Sequence, residues 1–372
     1  MRITQLDLMN FRNYEGLHLV PGPGTNILYG QNAQGKTNVL ESIYMCGTAR
    51  SHRTSRDKEM IRFGEDESHI RMLLERNDLT YRIDMHLKKN QAKGIAINGV
   101  PIRRVSELYG LVNIIFFSPE DLGLIKRGPA ERRRFIDFEL CQLDKVYTSH
   151  LVNYNKVLGE RNQLLKDIAF EPSLEATLSV WDQQLIRYGT EVIRARERFT
   201  DRLKDIIKDI HSNITGGREV LEISYEADTG PEEFADRLLS RRDQDLRLKT
   251  TCTGPHRDDL AFMIGGTDLR KFGSQGQQRT AALSLKLSEI EMVKQLIGDT
   301  PVLLLDDVLS ELDTSRQTKL LSVIRSTQTF ITCTGLDEFV SCRFPIDHLF
   351  EVEDGTVTRK NETAEESAAE SV

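Results

Sequence analysis

Apolar and polar positions change period along the chain, and the first period is two. Residues 1–10 and Thr25–Tyr29 read as strands on either side of a Pro/Gly turn (Pro21, Gly22, Pro23, Gly24). Ile70–Glu75 and Leu79–Leu87 alternate, the second with Leu79, Tyr81, Ile83, Met85 and Leu87 on one face, as half-buried strands do. Asn98-Gly99, between Ile95/Ile97 and Val100/Ile102, predicts a hairpin turn because both residues tolerate positive φ. From about Pro129 to Ile210 the period becomes helical. One stripe is Tyr147, Leu151, Tyr154, Leu158. A longer one is Trp181, Leu185, Tyr188, Val192, Ala195, Phe199, Leu203, Ile206, Ile210. Its steps are mostly alternating fours and threes, which is coiled-coil spacing. With Phe170–Ser173 and its Pro172 between them, the stripes predict two long helices. These form either an arm whose longer helix reaches roughly 45 Å or a pair packed on a globular body. After Leu260 strands and helices alternate again, and the acidic tail Glu362–Val372 is expected to be disordered.

Composition narrows the classes. At 372 residues the chain is long for one core and suggests two to three domain-sized units. No stretch approaches the ~20 apolar residues of a membrane span. The opening MRITQLDLMN is charged and alternating, unlike a secretory signal. Cys46, Cys141, Cys252, Cys333 and Cys342 lie far apart, with no CxxC pair, which fits a reducing cytoplasm rather than a disulfide framework or a zinc site. A net charge of −7 argues against wholesale coating of nucleic acid but leaves room for a local basic patch.

Gly30-Gln31-Asn32-Ala33-Gln34-Gly35-Lys36-Thr37 fits G-x-x-x-x-G-K-[ST] at every defined position, between an apolar run and a helix-compatible one. Glycines let backbone amides converge on phosphate oxygens, and the helix N-terminus adds partial positive charge. Lys36 is expected to reach the β- and γ-phosphates of ATP, and Thr37 to ligate Mg²⁺. A chance glycine turn of this form arises on the order of once per hundred chains. Val302-Leu-Leu-Leu-Asp306-Asp307 reads as a buried strand delivering carboxylates to its C-terminal edge. Asp306 is the candidate Mg²⁺ ligand and Asp307 the candidate general base for the attacking water. Strands ending in Asp-Asp are common, so the loop is what gives this one meaning.

About 270 residues separate the two motifs, more than a compact NTPase core requires. A helical insert of that kind is the pattern of the SMC-like branch of ABC ATPases. Ser274-Gln-Gly276-Gln277, opening a helical run some 30 residues before the acidic strand, resembles the ABC signature, which caps the γ-phosphate held by another subunit. A bare Ser-x-Gly-Gln is more often a flexible loop, and its position reverses that reading. Ser310-Glu311-Leu312-Asp313 matches the D-loop, for which an ordinary polar turn is the alternative. In the strand Phe330-Ile-Thr-Cys333-Thr334, threonine stands where many ABC ATPases carry a switch histidine.

Along essentially its whole length the sequence resembles the RecF family of bacterial recombinational repair proteins. The carrying residues are Asn10–Tyr14, Gly30–Thr37, Ser118–Leu122, Arg132–Asp137, Gly254–Asp259, Ser274–Arg279, and Leu305–Val308 with Ser310–Asp313. Arg127, where the family tends to have a small residue before Gly-Pro, is a minor departure. The resemblance implies an α/β fold: an ABC-ATPase (SMC-like) P-loop head with an inserted, mainly helical lobe. It divides the chain into head residues 1–125, a helical arm lobe 126–254, head residues 255–361, and the tail 362–372. It further implies ATP-dependent homodimerisation, weak ATPase activity, binding of single- and double-stranded DNA, and cooperation with RecR and RecO in loading a recombinase. By the same resemblance Arg12 approaches the phosphates, and Ser118–Asp121 serves as the Q-loop.

Candidate DNA contacts come from clustered cations. Arg50, His52, Arg53, Arg56 and Lys58 follow the loop helix, and Arg103, Arg104, Lys126 and Arg127 form others. Charge runs are more often solvated faces, and Arg132–Arg134 is expected to make internal ion pairs in part. Phosphate contacts position a protein without reading sequence, so binding is expected to be salt-sensitive and sequence-independent. A transporter ATPase subunit is the alternative, but such subunits are usually compact and carry a fuller signature and the switch histidine.

Overall fold

The computed structural model describes residues 1–336, 339 and 346–360; Cys342 and the tail Glu362–Val372 lie outside the described residues. The chain divides into two compact units, Met1–Pro119 with Val293–Val372, and Glu120–Met292. Residues 255–292, grouped with the head on sequence grounds, therefore cluster with the second unit.

The first unit contains two six-stranded sheets. One is antiparallel, in the order Tyr14–Leu19, Arg2–Phe11, Glu67–Arg76, Leu79–Lys88, Gln91–Ile97, Val100–Pro101. Its last turn is the Asn98-Gly99 hairpin, with φ of 52° and 82°. The other has Thr356–Lys360 antiparallel at one edge and then five parallel strands: His348–Glu353, Thr25–Tyr29, Thr329–Cys333, Val302–Asp306, Ile114–Phe117. Val302–Leu305 are wholly buried, as a central parallel strand requires. The helix Lys36–Thr48 packs against strands of both sheets, so it is buried on most sides and its apolar periodicity is weak. Buried Gln328 stitches the unit together. Its Oε1 accepts from the Ile3 amide at 2.7 Å, and its Nε2 donates to the carbonyls of Ile3 and Gly22 at 2.8 and 2.7 Å.

The second unit holds the paired helices Lys145–Asp167 and Leu178–Thr215, the latter 38 residues long. It also contains a three-stranded antiparallel sheet, Thr267–Asp268, Asp259–Ile264, Leu221–Glu226, whose last strand packs on the long helix. The helices are thus part of a mixed compact unit. The buried seam of the long helix also differs from the apolar stripe. Trp181, Tyr188, Ile206 and Ile210 are only half-buried, whereas Asp182, Gly189, Arg196 and His211 are buried beside Leu185, Val192, Phe199 and Leu203. Gly189 is there for close approach, since a Cβ would sit 2.5 Å from the Phe234 ring. Asp182 and Arg196 are there because partners neutralise them. Arg161 bonds Asp182 and Asp245 at 2.8 Å each, and Arg196 bonds Asp137 at 2.7 Å and Asp258 at 2.9 Å.

Candidate functional site

Gly35 takes a φ of 118° immediately before the helix Lys36–Thr48, and a Cβ there would lie 2.7–2.8 Å from Asn13 and Tyr14 side-chain atoms. At Gly30, with φ 150°, a Cβ would meet the Val352 carbonyl oxygen at 2.3 Å. Ala33 is held at φ 66°, a region that is uncommon for residues with a side chain. The helix has neither a side-chain cap nor an acid in its first turn, so its leading amides keep the anion-binding character of a helix start. Neighbours brace the loop. The Gln34 carbonyl accepts from Asn13 Nδ2 at 2.9 Å, Gln34 Oε1 accepts from the Asp354 amide at 2.6 Å, and the Tyr14 hydroxyl donates to the Gly35 carbonyl at 3.1 Å. Gln31, Asn32 and Ala33 are exposed at its rim.

Lys36 folds back so that Nζ donates to the carbonyls of Gly30 and Gln31 at 2.5 and 2.7 Å. Burial pulls its pKa below the usual lysine value, outweighing the nearby Cys333, Asp307 and Asp306. A buried cation held by loop carbonyls beside an uncapped helix N-terminus fits a polyphosphate, which would satisfy the charge that burial penalises.

Thr37 and Asp306, 269 positions apart in sequence, meet here. Thr37 Oγ1 donates to Asp306 Oδ1 at 2.8 Å. The same oxygen accepts from Thr332 Oγ1 at 2.7 Å, and Thr332 Oγ1 in turn accepts from the Asp307 amide at 3.0 Å. Hydroxyl and carboxylate oxygens side by side are the hard donors that Mg²⁺ takes. Asp307 is exposed with φ 51°, the left-handed region that Asp tolerates better than most side chains. In the sequence Thr332 reads only as strand, because a threonine inside a buried run carries no local signal. Thr334, at the switch position, is exposed.

Arg12, expected near the phosphates, grips Glu41 of the loop helix through Nε and Nη2 at 2.8 and 2.6 Å. Burial alone would raise the Glu41 pKa, but bonds from Arg12 and Ser51 outweigh it and the net shift is downward. Arg50, Arg53, Arg56, Arg103 and Arg104 are all exposed. Arg53 donates to Asn38 Oδ1 at 2.9 Å, and Arg56 lies 3.6 Å from Glu59. His52, by contrast, packs against Phe116 with ring centroids 4.2 Å apart. Asp313 caps the helix Thr314–Ile324 by accepting from the Arg316 amide at 3.0 Å.

Ser274, Gly276 and Gln277 belong to the second unit, at the start of the helix Gln275–Ile297. The Ser274 amide donates to Gln277 Oε1 at 3.0 Å and the Gln277 amide to Ser274 Oγ at 3.2 Å, a reciprocal capping box. Gln277 Nε2 also donates to Glu219 Oε1 at 2.9 Å. Ser274 and Gly276 are exposed while residues 280–290 are buried, so a firmly held helix presents the motif. The motifs Arg132–Asp137 and Gly254–Asp259 supply a polar lattice instead: Arg132 holds Asp259 at 2.6 and 2.8 Å, and Arg133 donates to the Asp258 carbonyl at 2.7 Å.

The family profile described as RecF/RecN/SMC N terminal domain matches residues 2–357. The "DNA replication and repair protein RecF" of Agathobacter rectalis is 62% identical over 357 residues, covering 96% of this chain and 99% of the relative. The chain belongs to the RecF family. Its relative of the same name from Lachnospira eligens is 57% identical, over 97% of this chain and all of that one. Among solved structures, "Structure of the recombination mediator protein RecF-ATP in RecFOR pathway" is similar at TM-score 0.90 and 37% identity, covering 96% of this chain and 97% of that one. The Smc head bound to the C-winged helix domain of ScpA, at 15% identity and TM-score 0.58, shares the fold. The fold is therefore that of an SMC-like ABC-ATPase head with an inserted unit, and a transporter subunit is not favoured. No helix among the described residues is long and apolar enough to cross a membrane.

Proposed function

We propose that this RecF-family chain is an ATP-gated DNA clamp of recombinational repair and replication maintenance, working in the cytoplasm. Gly30–Thr37 holds the triphosphate of ATP, with Lys36 released from its own loop carbonyls onto the phosphates. Thr37 and Asp306 hold Mg²⁺, which when bound neutralises developing charge on the phosphates. Asp307 orients the attacking water, and slow hydrolysis resets the clamp. Ser274, Gly276 and Gln277 cap the nucleotide of a second copy, so each site is completed by dimerisation. Arg12 would have to release Glu41 to reach a phosphate, so in this reading it braces the loop helix. Exposed Arg50, Arg53, Arg56, Arg103 and Arg104 are the candidate contacts to DNA phosphates, in single or double strands. The RecFOR pathway to which the similar RecF-ATP structure is assigned supports RecR and RecO as partners.

The observation that carries this reading is the 2.8 Å bond joining Thr37 of the loop to Asp306 of the acidic strand. The test is binding of purified protein to gapped and intact duplex, with and without ATP, across a salt series. Binding is expected to require ATP and to weaken linearly in log K against log salt. Equal binding with and without nucleotide at every salt concentration would overturn the clamp reading.

A further inference from the structure

The antiparallel sheet of the first unit carries a second group of ligating side chains, independent of the nucleotide reading. Glu67, Ser68, His69 and Ile70 alternate half-buried, buried, half-buried, buried along their strand, so Glu67 and His69 share the solvent face. On the neighbouring strand His86 is the direct cross-strand partner of His69 and faces the same way. We propose that Glu67, His69 and His86 bind a divalent transition-metal ion of the Zn²⁺ class, with water completing the coordination.

Geometry supports the assignment. Tetrahedral Zn²⁺ with bonds of about 2.0–2.1 Å places its ligand atoms roughly 3.3 Å from one another. Here His86 Nε2 lies 2.9 Å from Glu67 Oε2 and His69 Nε2 lies 3.8 Å from Glu67 Oε1. The three ligand atoms all fall within 4.8 Å, and this is the one such trio among the described residues. The imidazoles stack at 4.0 Å between centroids with an interplanar angle of 21°, so strand pairing has already ordered both ligands. Two neutral imidazoles and one carboxylate are the donor set of many zinc sites. A groove of about 530 Å³ beside the pair, lined by His69, His86, Asp7, Asp84 and Gly94 among others, leaves room for the water. Lys88 Nζ, 3.7 Å from Glu67 Oε2, is the competing cation that the metal would displace. Once bound, the ion would cross-link the strands Glu67–Arg76 and Leu79–Lys88 on the face away from the core.

The experiment is calorimetric titration of the metal-depleted full chain with Zn²⁺, without nucleotide or Mg²⁺, and with Co²⁺ as a visible spectroscopic probe. One ion per chain is expected, with Co²⁺ bands of a tetrahedral N/O site. His69→Gln and His86→Gln should each lower affinity by at least tenfold, since even outer partners of metal ligands are worth about 10–100-fold. Melting in chelator should not change, because both side chains are half exposed. Wild-type stoichiometry and affinity in both variants would overturn the site. On unmutated protein, Zn²⁺ should shield His69 and His86 from diethylpyrocarbonate while leaving the other six histidines as reactive as before. Absence of that selective protection would also overturn it.

Discussion

Thr332 ties the Asp306 carboxylate to the backbone amide of Asp307, two residues on which hydrolysis is proposed to depend, so Thr332→Val tests the site at a residue that carries no charge. The substitution keeps the shape of a side chain that is only 2% exposed and deletes its hydroxyl. Asp306 Oδ1 loses one of two donated bonds, the 2.7 Å one, and the Asp307 amide loses its 3.0 Å acceptor. A hydrogen bond to a charged group contributes about 1.5–3 kcal/mol and a neutral one about 0.5–1.5, so the loss is about 3 kcal/mol. Hydrogen exchange can read this locally, which matters in a chain of two units where a single unfolding free energy is poorly defined. Exchange in peptides spanning 302–307 and 329–333 should accelerate on the order of a hundredfold. ATP turnover should fall at least about tenfold, because Asp306 keeps only its bond from Thr37. Thr332→Ser retains the hydroxyl and should restore both protection and turnover. Wild-type exchange in the valine variant, or no recovery in the serine variant, would refute the reasoning.

Three further outcomes are expected. Arg161→Met leaves Asp182 and Asp245 buried without their shared cation and should destabilise the second unit by about 3–5 kcal/mol, read as a lower urea midpoint from Trp181, the only tryptophan. Ser274→Arg should abolish dimerisation with a non-hydrolysable ATP analogue in sizing experiments. Ser274→Ala removes the helix cap, about 1 kcal/mol, together with the hydroxyl proposed to face the second copy's nucleotide, and should weaken dimerisation without abolishing it. Glu139, buried with Glu289 and Lys286, has its carboxyl pushed up to about 7, chiefly by burial. The folded state then holds a proton that the unfolded state has released. This contribution is full below about pH 4.5, and is lost as pH rises to about 7. The Trp181-reported urea midpoint of wild type should therefore fall more between pH 5 and 7.5 than that of Glu139→Gln; parallel curves would remove Glu139 from the titration.

Features that depend on neighbours in the chain are legible without the fold. Gly30, Gly35, Lys36 and Thr37 act through backbone freedom and a helix start, so eight consecutive residues suffice to read them. The run Val302–Asp306 announces a buried strand for the same reason, and Asn98-Gly99 announces its turn. Folding in three dimensions sets which distant groups meet. It brought Thr332 to Asp306, turned Arg12 onto Glu41, and set His69 beside His86 through strand register. It also left four of the nine apolar-stripe residues of the long helix half-buried and buried Asp182, Gly189, Arg196 and His211 instead. Hydrophobic periodicity cannot foresee that exchange. A charge can be buried only where its counter-charge arrives, and Arg161, Asp137 and Asp258 arrive from other elements of the fold.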